Sequence, residues 1–408
     1  MNRPLLVKEH TQYFTDLWSA CIASLPGLEG NYPSREKKMR EKYFENFIEI
    51  INKRNNQNGN NHSPHEKITP LTRALFKTVF DYKDAQLDVI LSDAYKQMTK
   101  DFIRMGRRFD PDVSLDDVFQ ACRNAWIMNG IQLMLGQDVK LTPAIFAYSM
   151  LYPYSDNYLD DPGITVEGKV DFSRRFRNKL EGFEELPVNK NESLIFNLVE
   201  MIEEQFDRDR FPEVFNSLLA IHDAQAKSLR LVDPHETLSE KEVLDLSIEK
   251  GGTSVLADGY LVAGKMNESQ ARFCFGFGAY LQLVDDIQDI KEDSCAGQLT
   301  VFSKTLSKQK LDSLATQTFC FGNKVFDLMD AFPGENIPVY KSLMKKSVET
   351  MLIETILLSG QYFSHDYIKM TENHSPLSVS YLKKRRSKLS PQRISFMKQI
   401  LESTIADL

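Results

Sequence analysis

Apolar residues recur at every third or fourth position through most of this chain, which is the period of an amphipathic helix. The clearest segments are residues 84–106, 114–136, 142–160 and 267–293. Their ends carry ordinary helix signals: Ser114 and Thr142 stand where N-caps are expected, and Pro143 stands at a first helical position. We find no strand-like alternation of apolar and polar residues and no internal repeat. The sequence therefore predicts an all-α fold.

One segment interrupts this pattern. Residues 54–67, RNNQNGNNHSPHEK, are polar, rich in Asn and without helical period, which predicts a mobile loop. The sequence thus divides into an N-terminal helical extension with its loop (1–67) and a single all-helical domain (68–408).

Four aspartates stand close together in LQLVDDIQDIKED, residues 281–293. If this stretch is one continuous helix, Asp285, Asp289 and Asp293 fall on one face, about 6 Å from one to the next. Two unit charges at that distance repel by roughly 3 kcal/mol at an effective dielectric constant near 20. Because the surrounding positions are apolar, we favour a cation-binding site over the plainer alternative, a solvated acidic helix face.

A second acidic motif lies upstream in YSDNYLDDP, residues 154–162. Asp156 and Asp160 are four residues apart, Asp161 follows, and Pro162 and Gly163 are expected to end the helix. A carboxylate at a helix C-terminus faces the unfavourable end of the helix dipole, so water or a metal ion has to compensate its charge. Two such clusters facing one another would suit Mg2+, which takes one or two carboxylates and completes its coordination with water and substrate phosphate. The expected ligand is a diphosphate.

Composition narrows the choice of partners. The 408-residue chain has 42% apolar residues and a net charge of −7, which argues against nucleic acid as the main partner. The basic run YLKKRRSK, residues 381–388, is interpreted as a solvated helix face.

The sequence shows no clear targeting signal and no pattern of paired cysteines. Five scattered cysteines indicate reduced thiols, and neither a secretory signal nor a continuous apolar stretch of membrane-spanning length is present. We therefore expect a cytoplasmic protein without a membrane span.

The order of the motifs resembles the class I isoprenoid synthases, that is, the terpene synthases and prenyl diphosphate synthases. The pieces of the resemblance are the first acidic motif, Asp223 and Gln225 in IHDAQAKSL, a helix break at Lys250-Gly251-Gly252-Thr253, and the second acidic motif. The likeness spans about residues 100–300. It implies a class I isoprenoid synthase-like helical bundle around a central apolar cavity, three Mg2+ ions, and ionisation of an allylic prenyl diphosphate. Members often form homodimers, whereas the sequence itself leaves the oligomeric state open.

The resemblance also assigns roles to residues. The catalytic carboxylates would be Asp156, Asp160, Asp285 and Asp289. The metal ligands would be Asp156, Asp160, Asp161, Asp285, Asp286, Asp289 and Asp293. The substrate-binding residues would be Arg174, Arg175, Gln225, Lys250 and Thr253.

Plainer explanations remain open for several of the substrate-binding residues. Lys250 could instead be a cation in the last turn of a helix that ends at the two glycines, where its charge would stabilise the exposed carbonyl groups. Gln225 suits a hydrogen-bonded position inside a packed helix. Arg174 and Arg175 suit phosphate oxygens, and they equally suit a salt-bridged surface.

The first motif distinguishes between the functions of the family. SDNYLDD has Asn157 where chain-elongating prenyltransferases have a second Asp, and it is similar to the DxxxD of squalene, phytoene and large bacterial terpene synthases. MGRRFDP, residues 105–111, is only weakly similar to the motif that holds a second, homoallylic diphosphate. The leading prediction is a Mg2+-dependent terpene synthase. The alternatives are a prenyltransferase, chain-elongating or head-to-head, and a non-catalytic helical binding protein on the same scaffold.

Overall fold

The computed structural model describes residues 6–21, 27–55, 65–160, 163–233, 235–306 and 309–385. Within these ranges the regular structure is helical and no strand occurs, which confirms the all-α prediction. The α-helices are α1 (Val7–Ser19), α2 (Ser34–Asn55), α3 (His65–Phe80), α4 (Asp84–Ile90), α5 (Asp93–Phe109), α6 (Leu115–Met134), α7 (Pro143–Asp160), α8 (Val166–Glu181), α9 (Lys190–Gln205), α10 (Pro212–Ser228), α11 (Glu240–Ala263), α12 (Glu268–Gln288), α13 (Ile290–Ala296), α14 (Val301–Leu306), α15 (Asp312–Asp327), α16 (Ile337–Leu358) and α17 (His365–Asn373).

The helices begin where capping residues favour it. Ser114 Oγ accepts a hydrogen bond from the backbone N–H of Asp117 at 3.0 Å, and Thr142 Oγ1 accepts one from Ile145 N–H at 3.3 Å. These side chains satisfy backbone donors that the first helical turn leaves without partners. The predicted starts of α6 and α7 are therefore confirmed.

The predicted loop over residues 54–67 is shorter than expected. Helix α2 extends to Asn55 and α3 begins at His65, so both ends of the segment are helical. Residues 56–64 lie outside the described residues. The division of the chain at residue 67 stays a prediction.

Helices α11 and α12 form the centre of the molecule. The connection between them is four residues long, which makes them antiparallel neighbours. Almost every residue from Gly251 to Leu261 in α11 and from Phe273 to Tyr280 in α12 is buried. A helix that is buried around its circumference belongs to the interior of a bundle.

Two glycines let the backbones of these helices touch. A Cβ atom added to Gly251 would lie 2.5 Å from the carbonyl oxygen of Gly278, and one added to Gly278 would collide with the carbonyl oxygen of Gly251. Neither position has room for a methyl group. The contact fixes how Lys250, just before the crossing on α11, is placed relative to the acidic end of α12.

Helix α1 packs on this central pair. Phe14 is fully buried, and its ring stacks on Phe275 with centroids 5.9 Å apart. A Cβ atom on Gly276 would lie 2.5 Å from the Phe14 ring. The N-terminal helix therefore shares the main hydrophobic core.

The start of the basic run at 381–388 is packed rather than free. Tyr381 and Leu382 are buried, while Lys383 and Lys384 are exposed, and Arg385 lies over the ring of Phe44 at 5.0 Å. Residues 386–388 lie outside the described residues.

Among the helices of the described ranges, none combines the length and the apolar character that crossing a membrane requires.

Candidate acidic site at the end of helix α12

The second acidic motif lies on a bent helix. Helix α12 ends at Gln288, Asp289 takes a non-helical conformation (φ −98°, ψ 12°), and α13 begins at Ile290. The prediction of one continuous helix over 281–293 is therefore wrong. Hydrogen bonds from Asp289 N–H to Asp285 O (3.0 Å) and from Asp293 N–H to Asp289 O (2.8 Å) nevertheless continue the helical ladder through the bend. The acids thus stay one turn apart.

The carboxylates of this motif repel one another. Burial raises the pKa of Asp293 to about 6, with further increases from the charges of Asp289 and Asp285. Desolvation also raises the pKa of Asp285, although this side chain is exposed to solvent. An accessible carboxylate that is crowded by protein lies in a recess. The motif therefore presents concentrated negative charge at a concave surface.

Asp286 points into the protein. Its side chain is 3% exposed, and its Oδ1 accepts a hydrogen bond from Gln282 Nε2 at 2.8 Å. Burial raises its pKa to about 7, and the negative charges of Asp285 and Asp293 add to the effect. Its Oδ2 has no hydrogen-bond partner among the described residues. A buried carboxylate oxygen without a partner is costly, and a bound cation nearby would relieve that cost.

Lys250 faces these acids. Its positive charge lowers the pKa values of Asp285, Asp286 and Asp293. A helical side chain leans toward the N-terminus of its own helix, and the N-terminal part of α11 runs beside the C-terminal end of α12. The antiparallel pairing therefore directs Lys250 toward the acids.

The predicted helix break at Gly251 and Gly252 is wrong, because α11 continues without interruption through both residues. The glycines serve close packing instead: Gly251 contacts the backbone of Gly278, and a Cβ atom on Gly252 would meet the ring of Phe275. Thr253 is fully buried, and its hydroxyl donates to the carbonyl of Glu249 at 2.7 Å.

Arg123 on α6 is a second cation at this site, and it is absent from the residues predicted from the sequence. Its charge lowers the pKa of Asp285, and its side chain is exposed. The sequence carries no signal that would have singled out Arg123, because one arginine on an amphipathic helix is usually a solvated side chain.

The two candidate arginines of α8 differ in their surroundings. Arg175 forms a bidentate pair with the fully buried Glu192, at 3.1 and 2.5 Å. Arg174 is 60% exposed and lies 3.7 Å from Asp171. The contacts of Arg175 join α8 to α9, which is a structural role.

The motif around Gln225 on α10 is also tied into its surroundings. Asp223 forms an ion pair with Arg177, and His222 Nε2 lies 3.1 Å from the carbonyl oxygen of Ser173. Burial lowers the pKa of His222. Gln225 is half-buried on the same helix.

The first acidic motif lies at the end of its helix, as expected. Helix α7 ends at Asp160, so Asp156 and Asp160 belong to its final turns. The side chains of both residues, and all of Asp161, lie outside the described part of the chain. Whether the two motifs face each other stays a prediction.

A cleft of about 560 Å3 opens beside the last turns of α7. Its lining includes Tyr154 and Tyr158, together with Asp110 and Lys190. Tyr154 donates a hydrogen bond to Asp110 at 2.7 Å, and Lys190 lies 3.5 Å from the same carboxylate. These polar groups already satisfy one another, which makes the cleft a poor candidate for the predicted apolar cavity.

The donor chemistry of the α12 site suits Mg2+, although no metal cage is preformed. Across the described ranges, no group of three or more His, Cys, Asp or Glu side chains is arranged to hold a metal ion. Mg2+ does not require such a cage, because it often binds through one or two carboxylates and keeps water and phosphate oxygens as its other ligands. The crowded carboxylates, whose pKa values stay raised despite Lys250, therefore fit a metal that arrives with a diphosphate.

Comparisons with known proteins add little to this description. No protein-family model matches the chain, and no curated protein matches it by sequence. Among solved structures, a decaprenyl diphosphate synthase from Rhodobacter capsulatus aligns with 74% of this chain and 98% of its own, at 11% identity and a TM-score of 0.32. A TM-score that low does not establish a shared fold.

Proposed function

We propose that the protein is a Mg2+-dependent class I terpene synthase that ionises an allylic prenyl diphosphate and releases diphosphate. The observation that carries this proposal is the acidic end of α12, where the positive charge of Lys250 acts on the repelling carboxylates of Asp285, Asp286 and Asp293, and that of Arg123 acts on Asp285. A site with both signs of charge suits a metal–diphosphate complex, which itself carries both.

The acidic residues would bind Mg2+, and the basic residues would bind the diphosphate. Asp285, Asp289 and Asp293 on one side, and Asp156 and Asp160 on the other, would hold Mg2+ ions. Bound Mg2+ supplies positive charge that stabilises the departing diphosphate.

Lys250 and Arg123 would bind diphosphate oxygens directly. The guanidinium group of Arg123 would do so through two parallel N–H donors, and the ammonium group of Lys250 as a compact charge. The buried apolar helices behind the acids would keep water from the carbocation. We place the reaction in the cytoplasm, on the sequence expectations given above.

The direct test is to incubate the purified protein with geranyl, farnesyl and geranylgeranyl diphosphates and Mg2+. We expect diphosphate release and hydrocarbon or alcohol products by gas chromatography–mass spectrometry, and we expect both to stop when EDTA is added. Intact substrates after long incubation with folded protein would refute the proposal.

The same experiment separates the alternatives. A product that forms only when isopentenyl diphosphate is present would identify a chain-elongating prenyltransferase. We favour the terpene synthase over this alternative because of the DxxxD form of the first motif and the weak likeness of MGRRFDP to the motif that holds a second diphosphate. A folded protein whose melting temperature does not respond to Mg2+ and inorganic diphosphate would indicate a non-catalytic binding protein.

A further inference from the structure

A second polar group lies inside the bundle, between α6, α7 and α11. Asp258 of α11 is fully buried, and its Oδ1 accepts a hydrogen bond from Asn124 Nδ2 at 3.0 Å. The same Nδ2 lies 3.3 Å from Ser149 Oγ on α7, which is also fully buried. The neighbouring positions of α11, among them Leu256 and Ala257, are also fully buried.

Two donors in this group have no strong acceptor. Burial raises the pKa of Asp258 well above that of an ordinary carboxyl group, which favours the protonated form that carries an O–H. Its Oδ2 is buried and has no partner among the described residues. The Ser149 hydroxyl points to Met128 Sδ at 3.8 Å, and a thioether is a weak acceptor. Buried donors in folded proteins are normally paired with protein or water.

The group lies deeper in the bundle than the acidic site and is connected to it through two helices. Asp258 is eight residues beyond Lys250 on α11, about 12 Å at 1.5 Å rise per residue. On α6, Arg123 acts on Asp285 while its neighbour Asn124 binds Asp258. Asn124 is half-buried, whereas Asp258 and Ser149 are fully buried.

We propose that Asp258, Ser149 and Asn124 form an internal site for one neutral oxygen atom that accepts hydrogen bonds from Asp258 and Ser149. This oxygen belongs either to a trapped water molecule or to the bound prenyl diphosphate. In the second case it is a hydroxyl, ether or carbonyl oxygen at the end of the prenyl chain that is remote from the diphosphate. The second source rests on the proposed function, and the first does not.

Charge and protonation exclude other occupants. An uncharged carboxyl group does not attract a metal ion, and it cannot serve as a base toward a bound water. An anion would lose its hydration at this fully buried position, and burial and the Asn124 hydrogen bond, with no positive charge among them, set the pKa of Asp258. The occupant that fits is therefore an uncharged oxygen that accepts hydrogen bonds from Asp258 and Ser149.

The first test is a high-resolution crystal structure of the ligand-free wild-type protein. We expect one solvent peak within about 3.2 Å of both Asp258 Oδ2 and Ser149 Oγ. A second crystal, with Mg2+ and a farnesyl diphosphate analogue that carries a terminal hydroxyl, identifies the source. A peak that persists beside the ligand assigns the oxygen to water, whereas a ligand hydroxyl in its place assigns it to the ligand. Absence of any oxygen at this position in both crystals overturns the proposal.

Variants show whether these side chains hold the oxygen. We expect Asp258→Asn to keep the peak, because the amide supplies an N–H donor of similar shape, and Asp258→Leu to lose it. Thr318→Val is the matched control: Thr318 is fully buried, and its hydroxyl already donates to the carbonyl of Leu314 at 2.8 Å. If Asp258→Leu fails to fold, Ser149→Ala replaces it, with a weaker or displaced peak expected. A peak that no substitution at Asp258 or Ser149 changes would contradict the assignment.

Calorimetry separates this inference from the proposed function. Failure of every prenyl diphosphate to bind with Mg2+ would refute the proposed function, and the solvent peak in the ligand-free crystal would still decide the oxygen site.

Discussion

Negative charge accumulates at the carboxyl end of α12, where Asp285, Asp286, Asp289 and Asp293 follow one another within nine residues. In the described part of the chain, Lys250 and Arg123 lower the pKa of Asp285, but burial still keeps that pKa raised. Such an arrangement lowers the stability of the folded protein when no cation is bound. Residues that are unfavourable for folding and concentrated in a recess are candidates for function.

The first prediction concerns Asp285. Replacing it by Asn removes the charge and keeps the shape, so we expect diphosphate release to slow by roughly 100-fold, the scale of losing one electrostatic contact to a transition state. Steady-state release of diphosphate measures the effect. The control is Asp16→Asn, an exposed carboxylate on α1, which should leave the rate unchanged. Equal rates for the Asp285 variant and the wild type would remove this residue from the reaction.

The second prediction concerns Asp258 and pH. Burial raises the pKa of this carboxyl group in the folded protein well above its ordinary value of 3.8, so the folded state keeps a proton that the unfolded chain releases. Its contribution to stability is complete below about pH 4 and falls as pH rises toward the folded-state pKa, by about 1.4 kcal/mol per pH unit. Asp258→Asn cannot titrate.

Urea denaturation of the Asp258→Asn variant and the wild type at pH 5, 6, 7 and 8 measures this effect. The variant should gain stability relative to the wild type as the pH rises from 5, until the pH passes the folded-state pKa of Asp258. Thr318→Val provides the comparison, and its difference from the wild type should be independent of pH. A constant difference for Asp258→Asn would mean that this group is ionised in the folded protein.

Single residues differ in how well the sequence predicts them. The acidic motif is predictable because carboxylates among apolar helical positions are unusual. Arg123 is not, because one arginine on a helix is indistinguishable from an ordinary solvated side chain until α12 is placed beside it. Arg175 is a different case: the sequence leaves phosphate binding and a salt bridge both open, and only the fold reveals that its guanidinium group pairs with Glu192.

At the scale of elements, the crossing of α11 and α12 decides the geometry of the site. Its backbone contact exists because Gly251 and Gly278 both lack side chains. The sequence predicts a helix break at Gly251, since glycine weakens helices by about 1 kcal/mol relative to alanine. In a fully buried helix, the closer packing that glycine allows outweighs this cost, and that advantage depends on a partner helix that local sequence does not reveal.

The third prediction tests this crossing. Gly278→Ala places a methyl group against the carbonyl of Gly251, so we expect the free energy of unfolding to fall by about 3 kcal/mol or more. Thermal or urea denaturation measures it. Gly130→Ala is the matched control: Gly130 also lies inside a helix, α6, and a Cβ atom there meets nothing within 4 Å, so it should gain up to about 1 kcal/mol. Equal stability of the two variants would show that the helices separate at little cost.

At the scale of the whole molecule, helices far apart in the chain share one core. Phe14 near the N-terminus lies against Phe275 and Phe321, with ring centroids 5.9 and 6.0 Å apart. Hydrophobic period predicts that α1 is a helix and which of its faces is buried. It does not predict the partner, because the apolar faces of α12 and α15 are open to any helix of matching shape.

The fourth prediction follows from this packing. Phe14→Ala should lower the free energy of unfolding by about 3 to 5 kcal/mol, the usual cost of removing a fully buried phenylalanine ring. On the same helix, Tyr13 is 39% exposed and its ring lies under Arg272, so Tyr13→Ala should cost about 1 kcal/mol or less. Urea denaturation of both variants checks the difference. Similar losses would mean that α1 is peripheral to the core.

The glycine contact between α11 and α12 also limits how the interior can be remodelled. Where two main chains touch, there are no intervening side chains to trim, so substitution there can only push the helices apart. Protein engineers who wish to enlarge the space between helices should therefore work on α6 and α7, which meet α11 through side chains such as Asn124 and Ser149.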